Sequence, residues 1–362
     1  MTLQIRVDAA IEAALGKRIV GCVVLVRCCG TLVYARAAGL ADRESGREMA
    51  LDAVFRLASV TKPIVAAAVL RLVDLGLIGL DEPVTAYLPE FRPRSPDGSV
   101  SDILIRQLLS HSSGLTYGGA GDYARGLSGP LISLAENMRR LAAEPLLFAP
   151  GTGWEYGMSI DVLGAVIAAV NGSDVAAAVA RYVTRPLGMD DTRFGVSDPA
   201  RLAVAYADGA PPQRMGEPEP VTGADGEVTL FSPGRIFEAG APQSGGAGMA
   251  GTASDVMALL EALRGDFLSP GLREAAFANQ IGDLPRLAAD AGKRFGFLGA
   301  VVVDPVAAGT AMPQGAVDWG GAWGHNWVID RGSKMSLVVC TNTAFEGCNG
   351  AFREEVAAAV FG

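Results

Sequence analysis

The apolar positions of this chain follow two different periods, and the switches between them mark its elements. Residues 3–16 predict an amphipathic helix. Residues 20–28 and 31–38 are β-like runs that meet at Cys29-Gly30, the pattern of an apolar hairpin. The run Pro63-Ile64-Val65-Ala66-Ala67-Ala68-Val69-Leu70 predicts a buried helix that opens at Ser59 and ends near Asp74-Leu75-Gly76. A turn at 80–84 precedes a short helical piece, and Ile103 to Leu109 leads into His111-Ser112-Ser113-Gly114-Leu115. Ser159 and Asp161 can cap a helix running to Asn171-Gly172, and Ser173-Asp174 can start another to about Arg185. Residues 207–246 are rich in Gly and Pro, with little periodicity, and predict a long loop region. Thr252-Ala253-Ser254-Asp255 caps a helix over 255–264, and β-like runs follow at 295–304, 323–330 and 334–342. The last two flank a turn at Arg331-Gly332-Ser333, and residues 350–361 predict a closing helix.

Strands therefore lie at both ends of the chain with helices between. The expected class is α+β: one antiparallel sheet built from both chain ends, flanked by helices, with a mainly helical lobe inserted. The expected boundaries are 1–83 with 246–362 for the sheet lobe and 84–245 for the insert, with the site in the groove between them. The length, 362 residues with 50% hydrophobic and 19% charged, is enough for such a core. A net charge of −9 without a basic cluster speaks against nucleic acid and anionic membrane surfaces as partners. No uncharged apolar run reaches membrane-span length, and Asp8 and Glu12 interrupt any export signal. Five cysteines, Cys22, Cys28, Cys29, Cys340 and Cys348, have no metal-site spacing and read as reduced thiols in a cytoplasmic protein. No cofactor motif and no metal cluster is expected.

The candidate chemistry starts at Ser59-Val60-Thr61-Lys62. A serine and a lysine three apart share one helix face, so the lysine can act on a hydroxyl that is otherwise a weak nucleophile. Only four lysines occur (17, 62, 293 and 334), and Lys62 alone has a serine three residues before it. The helix start also offers a backbone N–H and a favourable dipole at Ser59. Tyr156 lies in a loop, Gly153 to Ser159, just before a helix. It either shuttles a proton beside Lys62 or packs its ring under the loop. Asp318-Trp319-Gly320-Gly321-Ala322-Trp323-Gly324-His325 precedes a predicted strand, where two glycines allow substrate to approach the backbone and an N–H could complete an oxyanion hole; a β-bulge with a packed tryptophan fits as well. No G-x-S-x-G is present, and His111 and His325 are the only histidines, which leaves a Ser-His-Asp triad poorly supported.

These segments, with Phe55 to Pro63, Leu108 to Leu115, Trp154-Glu155-Tyr156, Asp161 to Gly164, Pro186 to Met189, Gly246 to Met249 and Trp319-Gly320-Gly321, resemble the serine β-lactamase-related hydrolases. The nearest branch is the class-C-like carboxylesterases called family VIII esterases. The resemblance implies Ser59 as acylated nucleophile, with Lys62 and Tyr156 sharing proton transfer. It also implies backbone N–H groups of Ser59 and Ala322 as oxyanion hole and Trp319 as lining of the acyl or alcohol pocket. Gly320, Gly321 and Met158 are expected beside the substrate with it, and His325, four residues after Gly321, is expected near the pocket from its position. Met158 stands where β-lactamases and penicillin-binding proteins carry asparagine, and Trp319-Gly320-Gly321 where they carry Lys-Thr-Gly. Those departures point to small-molecule carboxylic esters with short to medium acyl groups. The same centre leaves a β-lactamase or D-peptidase, an acyltransferase, or a non-catalytic binding protein as alternatives.

Overall fold

The computed structural model describes residues 1–223, 226–285 and 291–362. Helix α1 (Leu3–Ala14) is followed by β1 (Gly21–Cys28), β2 (Thr31–Asp42), β3 (Arg47–Glu48) and β4 (Val54–Arg56). A 3-10 turn at Ala58–Val60 then runs into α2 (Thr61–Asp74). Helices α3 (Ile105–Leu109), α4 (Leu134–Ala143), α5 (Ser159–Asn171) and α6 (Val175–Val179) come next. Two small hairpins follow, β5 (Tyr206–Ala207) with β6 (Gln213–Arg214), and β7 (Glu219–Thr222) with β8 (Val228–Phe231). The chain closes through β9 (Ala250–Thr252), α7 (Ala253–Arg264), α8 (Pro270–Phe277), β10 (Lys293–Phe295), β11 (Ala300–Val302), β12 (Val317–Gly321), β13 (His325–Asp330), β14 (Met335–Thr341) and α9 (Ala351–Phe361).

The large sheet is eight-stranded and antiparallel, in the order β10-β11-β12-β13-β14-β1-β2-β3, so the two chain ends meet where β14 pairs β1. Both faces are covered, which explains why β1 reads as a continuous apolar run instead of alternating. Val23 and Leu25 face one core with α2, α5 and α7, while Cys22, Val24 and Val26 face a second with α1 and α9. Each fully buried Val, Ile or Phe contributes about 1.5–3 kcal/mol relative to exposure. Val7, Ile11, Phe352 and Val356, all 0% exposed, are therefore enough to dock both terminal helices.

Two sequence expectations need correction. Residues 207–246 hold the β6 and β7–β8 strands and a 3-10 segment at Pro233–Phe237, so they are not bare loop; Ala224 and Asp225 lie outside the described residues. Trp319-Gly320-Gly321 does precede the expected strand, β13, but it is also the end of a further strand, β12, that was not expected. Its two glycines masked that strand, because glycine lowers strand propensity and gives no side-chain alternation. No single helix among the described residues is long and apolar enough to cross a membrane.

Two features fix the site in this frame. Asp318, buried at 0% exposure, pairs with Lys293 of β10 at 3.2 Å and with Arg353 of α9, which pins β12 one residue before Trp319. The turn that carries Ser59 is clamped as well. The Leu57 N–H donates to Met249 O at 2.8 Å, and Thr61 Oγ1 accepts from the Met249 N–H at 3.2 Å. Inside that clamp Ala58 holds φ at +45°, a left-handed conformation that costs a non-glycine residue about 1–3 kcal/mol.

Candidate active site

Ser59 sits in the middle of the 3-10 turn and is half-buried, while Lys62, on the first turn of α2, is 3% exposed. The lysine ammonium has three N–H donors. They go to Ser59 Oγ at 3.3 Å, the Tyr117 hydroxyl oxygen at 2.8 Å and Gly246 O at 2.9 Å. Its Nζ also lies 4.6 Å from the centroid of the Tyr156 ring. Burial disfavours the charge on Lys62, but Tyr117, Tyr156 and the nearby Asp161 carboxylate outweigh it and hold the ammonium protonated above the ordinary lysine range. Burial likewise pushes the Tyr117 phenol up, with Lys62 opposing.

Tyr156 is fixed from three sides. The Trp319 indole N–H donates to its hydroxyl oxygen at 3.0 Å, and the Trp319 ring lies 4.8 Å away. The buried His111 ring stacks on it at 4.7 Å, while His111 also holds the loop, accepting from Gly157 N–H at Nδ1 (3.3 Å) and from Glu155 N–H at its carbonyl (3.1 Å). Phe295 and Trp154 complete this aromatic wall. Because the Tyr156 oxygen accepts from Trp319, its own O–H is left to donate elsewhere.

The end of β12 runs against the Ser59 turn. A Cβ on Gly321 would come within 2.4 Å of Leu57 O and 3.2 Å of Val60 Cγ2, so only glycine allows this approach. Pairing of β12 with β11 stops at Asp318, which leaves the stretch from Trp319 to Ala322 open along that edge. Ser59, Tyr117, Tyr156, Trp319 and Ala322 are all half-buried and share this region.

Two residues expected around the substrate are elsewhere. Met158 is 0% exposed, at the N-terminus of α5 inside the main core, because a methionine there packs where an asparagine would have stayed polar. His325 is 1% exposed, with Nε2 on Arg56 O at 2.6 Å, and its role is to hold the chain that leads into Ser59. Burial pushes its imidazole down to about 4, so it stays neutral at ordinary pH. Gly320 backs onto Cys348 Sγ, where a Cβ would meet the sulfur at 2.7 Å.

Two side chains at the centre, Tyr117 and Asp161, were not singled out as site residues from sequence, and Gly246 was quoted only within the segment Gly246 to Met249. Tyr117 follows the quoted segment ending at Leu115, and its signal was an aromatic after a run of buried serines. Asp161 was read as a helix cap and as part of the segment Asp161 to Gly164, yet it is the one charged residue of α5 and is 2% exposed. It accepts from Ser244 Oγ, and burial pushes its carboxyl up against the pull of Lys62. Gly246 separates the two: its Cβ would fall 2.3 Å from Asp161 Oδ2 and 3.2 Å from Lys62 Nζ.

The family model described as Beta-lactamase matches residues 7–360. Esterase EstB of Burkholderia gladioli is 49% identical, over 96% of this chain and 93% of its own. The solved structure of EstCE1, described as a hydrolase with promiscuous acyltransferase activity, shares 36% identity and superposes with a TM-score of 0.93 over 99% of this chain and 98% of its own. Acyltransferase calJ of Penicillium decumbens is 28% identical over 87% of this chain and 82% of its own. A match that runs from residue 7 to residue 360, over a fold that sets a serine and a lysine on one helix start, makes this chain a member of the beta-lactamase family.

Proposed function

We propose that this chain hydrolyses carboxylic esters of short to medium acyl length through an acyl-enzyme on Ser59, in the manner of family VIII esterases. The observation that carries the reading is the 3.3 Å contact between Lys62 Nζ and Ser59 Oγ at a reachable helix start. When the Lys62–tyrosine cluster loses one proton, that contact reverses and the amine accepts the serine proton. The alkoxide attacks the ester carbonyl, and the N–H groups of Ser59 and Ala322 receive the developing oxyanion. Tyr156 donates its O–H proton to the departing alkoxide and recovers a proton from Lys62. Water then takes the alcohol's place and runs the steps in reverse, releasing the acid.

Trp319 replaces a cationic strand, and Met158 leaves no amide in the pocket, which disfavours β-lactams relative to neutral esters. The test is turnover of p-nitrophenyl acetate, butyrate and octanoate beside nitrocefin, with mass-spectrometric capture of the acyl group. Faster ester cleavage, with the acyl mass on the peptide holding Ser59, is the expected result. Nitrocefin turnover faster than every ester would put the β-lactamase reading first.

Acyl transfer uses the same acyl-enzyme with an alcohol in place of water, and the names of EstCE1 and calJ favour it as a second activity. Adding an alcohol acceptor and measuring its ester against free acid separates the two. The reading places the site between two lobes: residues 1–83 and 246–362 bring Ser59, Lys62 and Trp319, and residues 84–245 bring Tyr117, Tyr156 and Asp161. All five cysteines are free thiols, which fits a cytoplasmic setting.

Asp161 stabilises the Lys62 ammonium across Gly246, so it sets the pH at which the base becomes available. Since Lys62 must lose a proton before it can act, kcat/KM is expected to rise with pH through an alkaline limb. Removing the negative charge makes that proton easier to lose. Asp161→Asn is therefore expected to move the limb to lower pH by roughly one unit or more, read from a pH–rate profile. A limb that stays in place would take Asp161 out of the electrostatics of the centre.

A further inference from the structure

Beside the Ser59 turn lies a cavity of about 320 Å³, and its lining shares no residue with the wall formed by Tyr117, Tyr156 and Trp319. It is bounded by Ala247 to Met249, by Trp323 immediately after the oxyanion candidate Ala322, by Leu127 and by the segment 232–243. Two arginines line it. Arg235 is 7% exposed; one terminal nitrogen donates to Gly129 O at 2.9 Å, and its other terminal nitrogen is enclosed by protein without an acceptor. Arg56, three residues before Ser59, donates from Nε to Pro233 O at 2.9 Å and from a terminal nitrogen to Ala203 O at 3.1 Å, with its guanidinium 5.6 Å from the Trp323 ring.

Among the described residues neither arginine makes an ion pair. The hydrogen bonds of both arginines go to carbonyls, so no carboxylate is bonded to either guanidinium. Two carboxylates are near. Glu217 is exposed and accepts from Ser232 and Gly234, so it is already held, though its charge is felt at Arg56. Glu238 lines the cavity only at its exposed rim. Burial of unpaired guanidinium groups pushes both arginines down in proton affinity, Arg56 to about 10. A buried cation without a partner is costly, and one that meets a carboxylate in such a place gains a strong, charge-assisted bond. The aromatic wall holds the proton donor for the leaving alcohol, so the cavity outside that wall is left for the acyl chain.

Resting on the esterase reading, we propose that the acyl chain of the preferred substrate ends in an anionic carboxylate, which Arg235 and Arg56 receive in this cavity. The substrates are half-esters of medium-chain dicarboxylic acids. The reaction itself is unchanged: the ester C–O bond breaks, water supplies OH to the acyl carbon and H to the alcohol, and the distal carboxylate takes no part.

The matched pair monomethyl adipate and methyl hexanoate differs only in the chain end, carboxylate against methyl, and methanol release reports both. The wild-type protein is expected to favour the adipate in kcat/KM by at least about tenfold. In Arg235→Gln the preference falls to near one through loss on the adipate alone, while Arg235→Lys, which keeps the charge, retains part of it. Ala241→Asp places a negative charge on the lining without removing a buried cation, and is expected to depress the adipate selectively even if Arg235→Gln does not fold. A wild-type ratio near one, or a ratio unmoved in these variants, overturns the proposal. If the wild type cleaves neither these esters nor the p-nitrophenyl esters, the esterase reading fails by itself, and calorimetry decides the subsite. Saturable binding of monomethyl adipate to Ser59→Ala protein, lost on adding Arg235→Gln or Ala241→Asp, supports it; no binding, or binding that neither change affects, refutes it.

Discussion

Ser59→Ala protein is expected to turn over p-nitrophenyl butyrate at least about 10⁴-fold more slowly than wild type, with its fold intact. The size follows from the role proposed for the hydroxyl: without it no acyl-enzyme can form, and Lys62 has no proton to take. Tyr117 and Tyr156 cannot stand in as nucleophiles, since their oxygens are engaged by Lys62 and by Trp319. Whatever rate remains comes from backbone donors near Ala322 and from binding. Stability should change by less than about 1 kcal/mol, because the Ser59 hydroxyl accepts a single long bond from Lys62 at a position that water reaches. Steady-state kinetics beside a thermal melt measures both. Retention of activity within tenfold, in a protein with unchanged melting, would remove Ser59 as the nucleophile and with it the acyl-enzyme.

How much of this was legible before the structure depends on the kind of signal. The apolar runs around β1, α2 and β14 located the sheet at both chain ends because burial on two faces writes itself as continuous hydrophobicity. Ser59 and Lys62 were legible because their spacing is local: three residues on a helix fix which face they share. Tyr156 was legible only as a loop tyrosine, and what orients it, the Trp319 indole and the His111 ring, comes from 163 and 45 residues away in the chain. Tyr117 and Asp161 meet Lys62 through tertiary packing alone, and no spacing in the sequence records that. β12 was hidden for a different reason. Trp319-Gly320-Gly321 looks like a loop until the Ser59 turn is laid against it, because the glycines serve a close backbone approach and carry no side-chain pattern. The same blindness sent Met158 and His325 to the substrate: position in the sequence does not carry burial.

Tyr156→Phe is expected to lower kcat on esters of unactivated alcohols by about 10²-fold while leaving KM within about threefold, as befits loss of a proton donor that acts in the transition state. The phenylalanine ring keeps the stack with His111 and Trp319 and the face presented to Lys62, so melting should scarcely move. Two companion substitutions distinguish a proton donor from a mere wall. Trp319→Phe keeps the aromatic contact but removes the N–H that holds the Tyr156 oxygen at 3.0 Å, and is expected to cost roughly five- to tenfold by loosening a donor that is still present. Tyr117→Phe removes an acceptor from the Lys62 ammonium instead. With one fewer bond to hold it, the lysine proton leaves more easily, so this variant should shift the alkaline limb of the pH profile to lower pH. If esters with activated and unactivated alcohols suffer equally from Tyr156→Phe, the proton-donor role fails, because p-nitrophenolate leaves without protonation and an alkoxide does not. Equal losses would place Tyr156 with Trp319 as part of the pocket wall, and proton transfer to the alcohol would then fall to Lys62 alone.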